Sequence, residues 1–192
     1  MGYILNKLPK HGTNDPEVNQ FAGKVLEDLS TVSGQTNGRG GKFMPSFYPH
    51  YLFHDMGMLT GATPDGRHAG TDLSRGVSAS EFIETESVLN LILSMRDIDF
   101  TRYAESFCTE ITLPLLENDS TGSQVLLGII QTFLDVEGSS LQMNLLDREL
   151  LLEAQKDPEN HRNVTVRVCG YSAAFVWLEE DKQEEIMKRM IR

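Results

Sequence analysis

The stretch Val164–Leu178, VTVRVCGYSAAFVWL, is made of two strand-like halves, rich in β-branched and aromatic residues and hinged at Gly170. Glycine inside a strand costs conformational entropy and offers no side chain to pack, so it weakens the element that carries it. Such a glycine marks a bulge or a close approach of backbone. It also has a chemical property that no other residue shares. Its Cα bears two hydrogens and no side chain, and an unpaired electron there is stabilised by the amide nitrogen on one side and the carbonyl on the other. The carbon can flatten because no Cβ crowds it. Two readings of Gly170 therefore stand side by side: a structural glycine, or a backbone carbon suited to storing a radical. The second needs a buried, fixed turn shielded from oxygen and solvent. The flanking runs VTVRV and AAFVWL would supply its apolar walls and rigid mount.

Around this stretch the pattern alternates. NDPEVNQFAGKVLEDLSTVSG predicts a helix with Asn14 or Asp15 as N-cap, Pro16 in the first turn, and an apolar stripe of Phe21, Val25 and Leu29 before Gly34. GQTNGRGGKFMPSFYPHYLF reads as a loop leading to a buried strand or short helix. TGATPDGRHAGTDLSRGVSAS, dense in Gly, Pro, Asp and Ser, reads as a long ordered loop, a kind that is usually functional or disordered. SVLNLILSM predicts a short helix, SFCTEITLP a strand, and GSQVLLGIIQTFLDVEG a helix closed by Gly138. SSLQMNLLD predicts a strand and DRELLLEAQKDPE a helix broken near Pro158. EEDKQEEIMKRMIR predicts a final amphipathic helix, acidic at its start and basic at its end as the macrodipole prefers. The class is α/β. The first helix has no preceding strand to pack on, which is what a piece of a larger barrel would look like.

Composition narrows the partners. A net charge of −11 argues against nucleic acid, which needs a basic surface. No apolar run approaches the roughly 18–20 residues that span a bilayer. The start MGYILNKLPKHG lacks a secretory pattern, and Asn6 stands where a myristoylation motif wants Ser or Thr. Cys108 and Cys169 form neither a disulfide framework nor a C-x-x-C pair, so a reduced, cytoplasmic setting is expected.

RVCGYSAAFVWLEEDKQEEIMKR resembles the carboxyl-terminal signature of glycyl radical enzymes, the pyruvate formate-lyase-like family. The likeness rests on Arg167, Val168, Gly170, Tyr171, Ser172, Phe175, Leu178, Gln183 and Ile186. Upstream, LQMNLLDRELLLEAQKDPENHRNVTVRV is similar to the family's approach to the radical loop, notably at Gln142, Asn144, Ala154, Gln155 and Pro158. GATPDGRHAGTDLSRGVSAS resembles its Thr-Pro-Asp-Gly-Arg-x-Ala-Gly loop. The resemblance implies the C-terminal part of a ten-stranded α/β barrel over residues 1–120 and a glycine radical domain over 121–192, ending in the radical loop and the amphipathic helix. It implies that Gly170 carries the radical, with Arg167, Val168, Cys169, Tyr171 and Ser172 supporting the loop.

The resemblance also implies partners. An activating enzyme using S-adenosylmethionine and an iron–sulfur cluster abstracts the hydrogen, and no organic cofactor is bound at the site. The radical passes to a cysteine thiol on a second loop, which attacks a small-molecule substrate; full-length relatives are expected to be homodimers. That cysteine lies upstream of the Thr-Pro-Asp-Gly-Arg loop, where this chain has none: Cys108 follows the loop and Cys169 adjoins Gly170. A further departure is EFIETESVLNLILS, where the family has a Gly-x-Thr-Ala-like turn. The chain is thus expected to be incomplete on its own and to need a chain carrying the rest of the barrel and the thiol. A split enzyme of anaerobic metabolism, a spare part for an oxygen-damaged radical domain, a non-catalytic assembly module and an inactive truncated fragment all fit. Natural spare parts are shorter, which favours a split or truncated enzyme. RVCGYSAAF and LSRGVSAS look more like the dehydratase, decarboxylase and lyase branches than formate-lyase, which implies C–O or C–C cleavage of a small polar molecule.

Other constellations are weaker. His50 and His54 are spaced to share a helix face, but no third metal ligand accompanies them and the aromatic setting favours packing, so no metal is expected. GQTNGRGGKF departs from a phosphate loop at Thr36 and Phe43. Asp65, Arg67 and His68 are polar residues on the long loop. They are read either as contacts near the radical or activating enzyme, or as turn scaffolding with an Arg–carboxylate pair.

Overall fold

The computed structural model describes residues 7–47, 52–79, 87–103, 108–114, 120–168 and 171–188. Its elements run α1 (Pro16–Ser33), α2 (Leu52–Leu59), α3 (Val88–Leu93), a 3-10 turn at Phe100–Arg102, β1 (Cys108–Pro114) and α4 (Ser120–Asp135). They continue with β2 (Ser140–Leu146), α5 (Arg148–Lys156), β3 (Thr165–Val168), β4 (Tyr171–Ala174), a 3-10 turn at Phe175–Trp177 and α6 (Glu180–Lys188). The order is α/β. The described strands form two two-stranded sheets, β1 with β2 and β3 with β4. The chain gathers into two compact units, Met1–Thr109 with Leu127–Leu141, and Glu110–Leu126 with Gln142–Arg192.

In the first unit, α1 starts because the Asp15 carboxylate accepts hydrogen bonds from the backbone N–H of Glu17 and Val18 at 3.0 and 3.1 Å, and Pro16 occupies the first turn. Asn14, the other candidate cap, takes φ 61° and donates its N–H to Ser94 Oγ at 2.8 Å. The helix ends at Gly34, whose N–H donates to the Ser30 carbonyl. Its orientation differs from the usual amphipathic rule. Phe21, Val25 and Leu29 do form a stripe, but it faces solvent, whereas the buried residues are Asn19, Gly23 and Ser30. Small and polar groups let α1 sit close. Tyr103 donates its hydroxyl to the Leu26 carbonyl, and a Cβ on Gly23 would lie 2.2 Å from the Asp97 carbonyl oxygen. The core of this unit draws on Leu91, Ile92, Met95, Ile98, Ile129 and Phe133. Gly138 closes α4 differently from expectation. Glu137 adopts the left-handed conformation, φ 56°, while Gly138 donates its N–H to the Phe133 carbonyl and leaves room for that residue's ring.

In the second unit, β1 is buried at five consecutive positions, Thr109 to Leu113, counting the residue that precedes the unit boundary. Burial on both faces marks a strand covered from both sides rather than one half in water. Asp147 caps α5 by accepting from the N–H of Glu149 and Leu150, and that helix stops at Lys156, just before Pro158. A cluster of Leu146, Leu151, Ala154, Val166, Val168, Phe175 and Ile186 forms a core of this unit. The apolar run expected to continue as strand to Leu178 instead turns at Phe175, which buries its ring, into a short 3-10 segment.

Candidate functional site

β3 and β4 pair antiparallel with Thr165 opposite Ala174, Val166 opposite Ala173, Arg167 opposite Ser172 and Val168 opposite Tyr171. This register leaves two residues, Cys169 and Gly170, to connect the strands, and both lie outside the described residues. Connections of that length between antiparallel strands favour glycine. The alternation of β3 sends Val166 and Val168 inward and Thr165 and Arg167 outward. Directly paired residues share a face of the ladder, so Arg167 and Ser172 stand together on the exposed face, and Tyr171, next to the connection, is 58% exposed.

An isolated hairpin of this length is marginal in water. Here its inward valines pack with Phe175, which is 0% exposed, and with Leu151, Ala154 and Ile186. The chain leaving β4 is tied back, since Phe175 donates its N–H to the Val164 carbonyl at 2.8 Å. Gln183 on α6 donates its side-chain amide to the Leu178 carbonyl at 3.0 Å. The connection is thus carried by strand ends fixed to the core of the second unit. Sequence reasoning overlooked Glu110. Buried on β1, it accepts a hydrogen bond from Asn144 Nδ2 on β2 at 3.0 Å. A carboxylate inside the strand-like CTEITLP was its available signal, because a charge at a buried position must find a partner.

The long loop of the first unit is ordered through Arg67. At 5% exposure, its guanidinium donates to the carbonyls of Thr60, Gly61 and Thr71 at 3.0, 2.6 and 2.5 Å, and to Thr71 Oγ1 at 3.3 Å. The planar fork gathers the loop ends where a carboxylate partner was expected; its partners among the described residues are carbonyls and a hydroxyl. Asp65 accepts from the Thr63 hydroxyl, and that hydrogen bond holds its carboxyl below the usual range. Gly66 takes φ 111° in the Thr63–Gly66 turn. The loop is also fastened at its flanks. His54 Nδ1 lies 2.8 Å from Asp72 Oδ1, and His11 Nε2 donates to the Val77 carbonyl at 2.8 Å. Burial pushes the His11 imidazole below its ordinary value, with the Val77 hydrogen bond opposing in part. His54 is therefore engaged with a carboxylate, and His50 lies outside the described residues. Among the described residues no group of three or more His, Cys, Asp or Glu could hold a metal, and no helix is long and apolar enough to cross a membrane. Cys108 is half-buried at the start of β1.

The family model described as glycine radical matches residues 73–176, just over half the chain and including position 170. The chain belongs to the glycine radical family, whose members are glycyl radical enzymes. It is 32% identical over 202 residues to the isethionate sulfite-lyase of Nitratidesulfovibrio vulgaris, covering 97% of this chain and 23% of that one. It is 26% identical over 194 residues to the trans-4-hydroxy-L-proline dehydratase of Clostridioides difficile, covering 98% and 24%. Among solved structures, the B12-independent glycerol dehydratase of Clostridium butyricum superposes with a TM-score of 0.84 at 31% identity, covering 98% of this chain and 24% of the other. A glycyl radical enzyme from Archaeoglobus fulgidus gives 0.84 and 31%, covering 98% and 25%. The chain thus spans about a quarter of the length of the relatives it matches. It contains the glycine radical domain of such enzymes.

Proposed function

We propose that this chain stores a carbon radical on Gly170 and passes it to a cysteine thiol that lies outside these 192 residues. The radical forms when one Cα–H bond breaks homolytically and the hydrogen atom goes to the radical of an activating enzyme that uses S-adenosylmethionine and an iron–sulfur cluster. The thiol later returns a hydrogen atom to the glycyl carbon and becomes the radical that attacks substrate. Residues 1–120 would complete a ten-stranded barrel and residues 121–192 form the radical domain. Arg167, Val168, Cys169, Tyr171 and Ser172 would steady the loop. Arg67 builds the long loop, and Asp65 is its candidate for contacts. No organic cofactor is required. The setting is an oxygen-poor cytoplasm, and the assembly would be dimeric as proposed for full-length relatives.

What carries this reading is the family match across position 170, together with a register that leaves Cys169–Gly170 as the link between two anchored strands. The relatives' names, which include a dehydratase and a decarboxylase, favour C–O or C–C cleavage of a small polar molecule. Their match over 97–98% of this chain, beyond residues 73–176, supports a part of such an enzyme over a non-catalytic spare part or assembly module. The test is anaerobic incubation with an activating enzyme. A doublet in the electron paramagnetic resonance spectrum is expected, lost in Gly170→Ala, with backbone scission at position 170 after exposure to air. Neither signal nor scission with several activating enzymes would refute the proposal.

A further inference from the structure

β1 and β2 are hydrogen-bonded neighbours, yet little around them fixes how far one is slid along the other. The chain joins them through α4 rather than a tight turn, so no turn sets their register. β1 is buried from Thr109 to Leu113, on both faces, so no solvent-facing side holds it against sliding. On β2 the sequence buried, exposed, buried at Asn144, Leu145 and Leu146 resists a slip of one residue, which would exchange the faces. A slip of two residues preserves every face. Only a pair specific to its position resists that, and Glu110 with Asn144 is such a pair. Both are buried, to 6% and 7% exposure, and Asn144 Nδ2 donates to Glu110 Oε1 at 3.0 Å.

We propose that Glu110 and Asn144 are positioning residues that key the register of β1 on β2 and, through it, the seat of the β3–β4 hairpin. Side chains two apart on a strand share a face, so Gln142, Asn144 and Leu146 form one row. A slip that brought Leu146 to Glu110 would leave the buried carboxylate against an apolar side chain, which is costly. The opposite slip would offer Glu110 the amide of Gln142. It would also carry Leu146 about 6.6 Å along the strand, out of the cluster that it forms with Val166, Val168 and Phe175. One direction is closed by the carboxylate and the other by the core under the hairpin. The pair thus acts on the hairpin through Leu146, its neighbour in the row. Register selection is the best-attested use of a buried polar pair, since an apolar pair of similar volume is often as stabilising but does not choose among alignments. The inference rests on the proposed function for what the hairpin carries, and the register itself is independent of that reading.

The test compares the full chain with Glu110→Gln and with Glu110→Leu/Asn144→Leu by nuclear magnetic resonance and calorimetry. The glutamine variant keeps an acceptor for the Asn144 amide, so one set of backbone amide resonances from Gln142 to Leu146 is expected, as in the parent. The double variant should melt no lower than the parent and yet show a second set of those resonances. Amide exchange at Val166 and Val168 should be faster in it by about tenfold or more. Three results in the double variant would overturn the assignment: one set of resonances with the parental cross-strand contacts, unchanged exchange at Val166 and Val168, or loss of the fold. The last would make the pair a source of stability rather than of register. A second set of resonances in Glu110→Gln would overturn it as well. The electron paramagnetic resonance spectrum separates the two proposals. The expected resonances without a doublet from Gly170 keep the register key and remove the radical reading, and a doublet with a single register in the double variant does the reverse.

Discussion

Replacing Gly23 by alanine sets two opposing effects against each other on α1. In an unobstructed helix interior the substitution stabilises by about 1 kcal/mol, because glycine loses more backbone entropy on folding. At position 23 the new Cβ would stand 2.2 Å from the Asp97 carbonyl oxygen and 3.0 Å from its carbon, where ordinary contact begins at 3.4 Å. The obstacle is backbone and cannot swing aside, so the helix must move outward at a cost of about 1–3 kcal/mol for overpacking. The clash at least cancels the gain, leaving a net loss of up to about 2 kcal/mol. Gly128 on α4 supplies the contrast within the same unit, since a Cβ there meets nothing within 4 Å. Gly128→Ala should therefore stabilise by about 0.5–1 kcal/mol. For a chain of 192 residues these effects move the melting temperature down by up to about 8 °C and up by about 1–4 °C respectively, read by calorimetry on the two variants side by side. If Gly23→Ala raised the melting temperature as Gly128→Ala does, α1 would not be seated on its polar face, and the exposure of its stripe would have to be abandoned.

Two further outcomes follow from the site. Phe175→Ala removes a ring that is 0% exposed from the cluster under the hairpin, and should cost about 3–5 kcal/mol, a large share of a typical total of about 5–15. Hydrogen exchange at the amides of Val166 and Val168 should accelerate accordingly, and a loss under about 1 kcal/mol would contradict the packing described. His11 sets an acid response. Its folded imidazole is held below the unfolded value of about 6.5, so between those values the unfolded chain binds more protons, and stability falls as pH drops below about 6.5. The contribution is intact above that pH and fully lost below the folded value. His11→Gln, which keeps a donor for the Val77 carbonyl, should flatten this slope in urea titrations at neutral and mildly acidic pH. An unchanged slope would show that the proton is taken up elsewhere.

Local chemistry made most elements legible. Asp15 followed by Pro16 predicts a helix start, and SVLNLILSM and DRELLLEAQKDPE predict helices; in the structure the side chains of Asp15, Ser87 and Asp147 accept cap hydrogen bonds from backbone N–H groups. The two strand-like halves around position 170 become a paired hairpin because the side chains that alternate inward, Val166 and Val168, find a core to enter. The run fails as strand beyond Ala174. Phe175 is claimed by the cluster formed with Leu151 and Ile186, and burying its ring requires a turn that no propensity of FVW announces. Arg67 was misassigned in its partner for a similar reason. Charge pairing looks to a carboxylate, whereas a fork inside a closed loop can be satisfied by three carbonyls that exist as a target only after the loop has folded.

The outward stripe of α1 exposes the limit of periodicity as a guide. A 3.6-residue rhythm of apolar side chains reports that a helix face is to be covered, and it is silent about what covers it. Phe21, Val25 and Leu29 supply that rhythm, yet within this chain α1 is held by Asn19, by the gap at Gly23 and by the hydroxyl of Tyr103, which a hydrophobicity count cannot see. Polar groups and a missing Cβ fix where the helix sits, while its apolar residues are left over. The β3–β4 hairpin shows the opposite case, since its inward valines are used by the second unit's own core. The same alternation of apolar side chains thus marks a packed face where Val166 and Val168 meet Phe175, Leu151 and Ile186, and an exposed face on α1, because in each case neighbouring residues far away in sequence decide which side is filled.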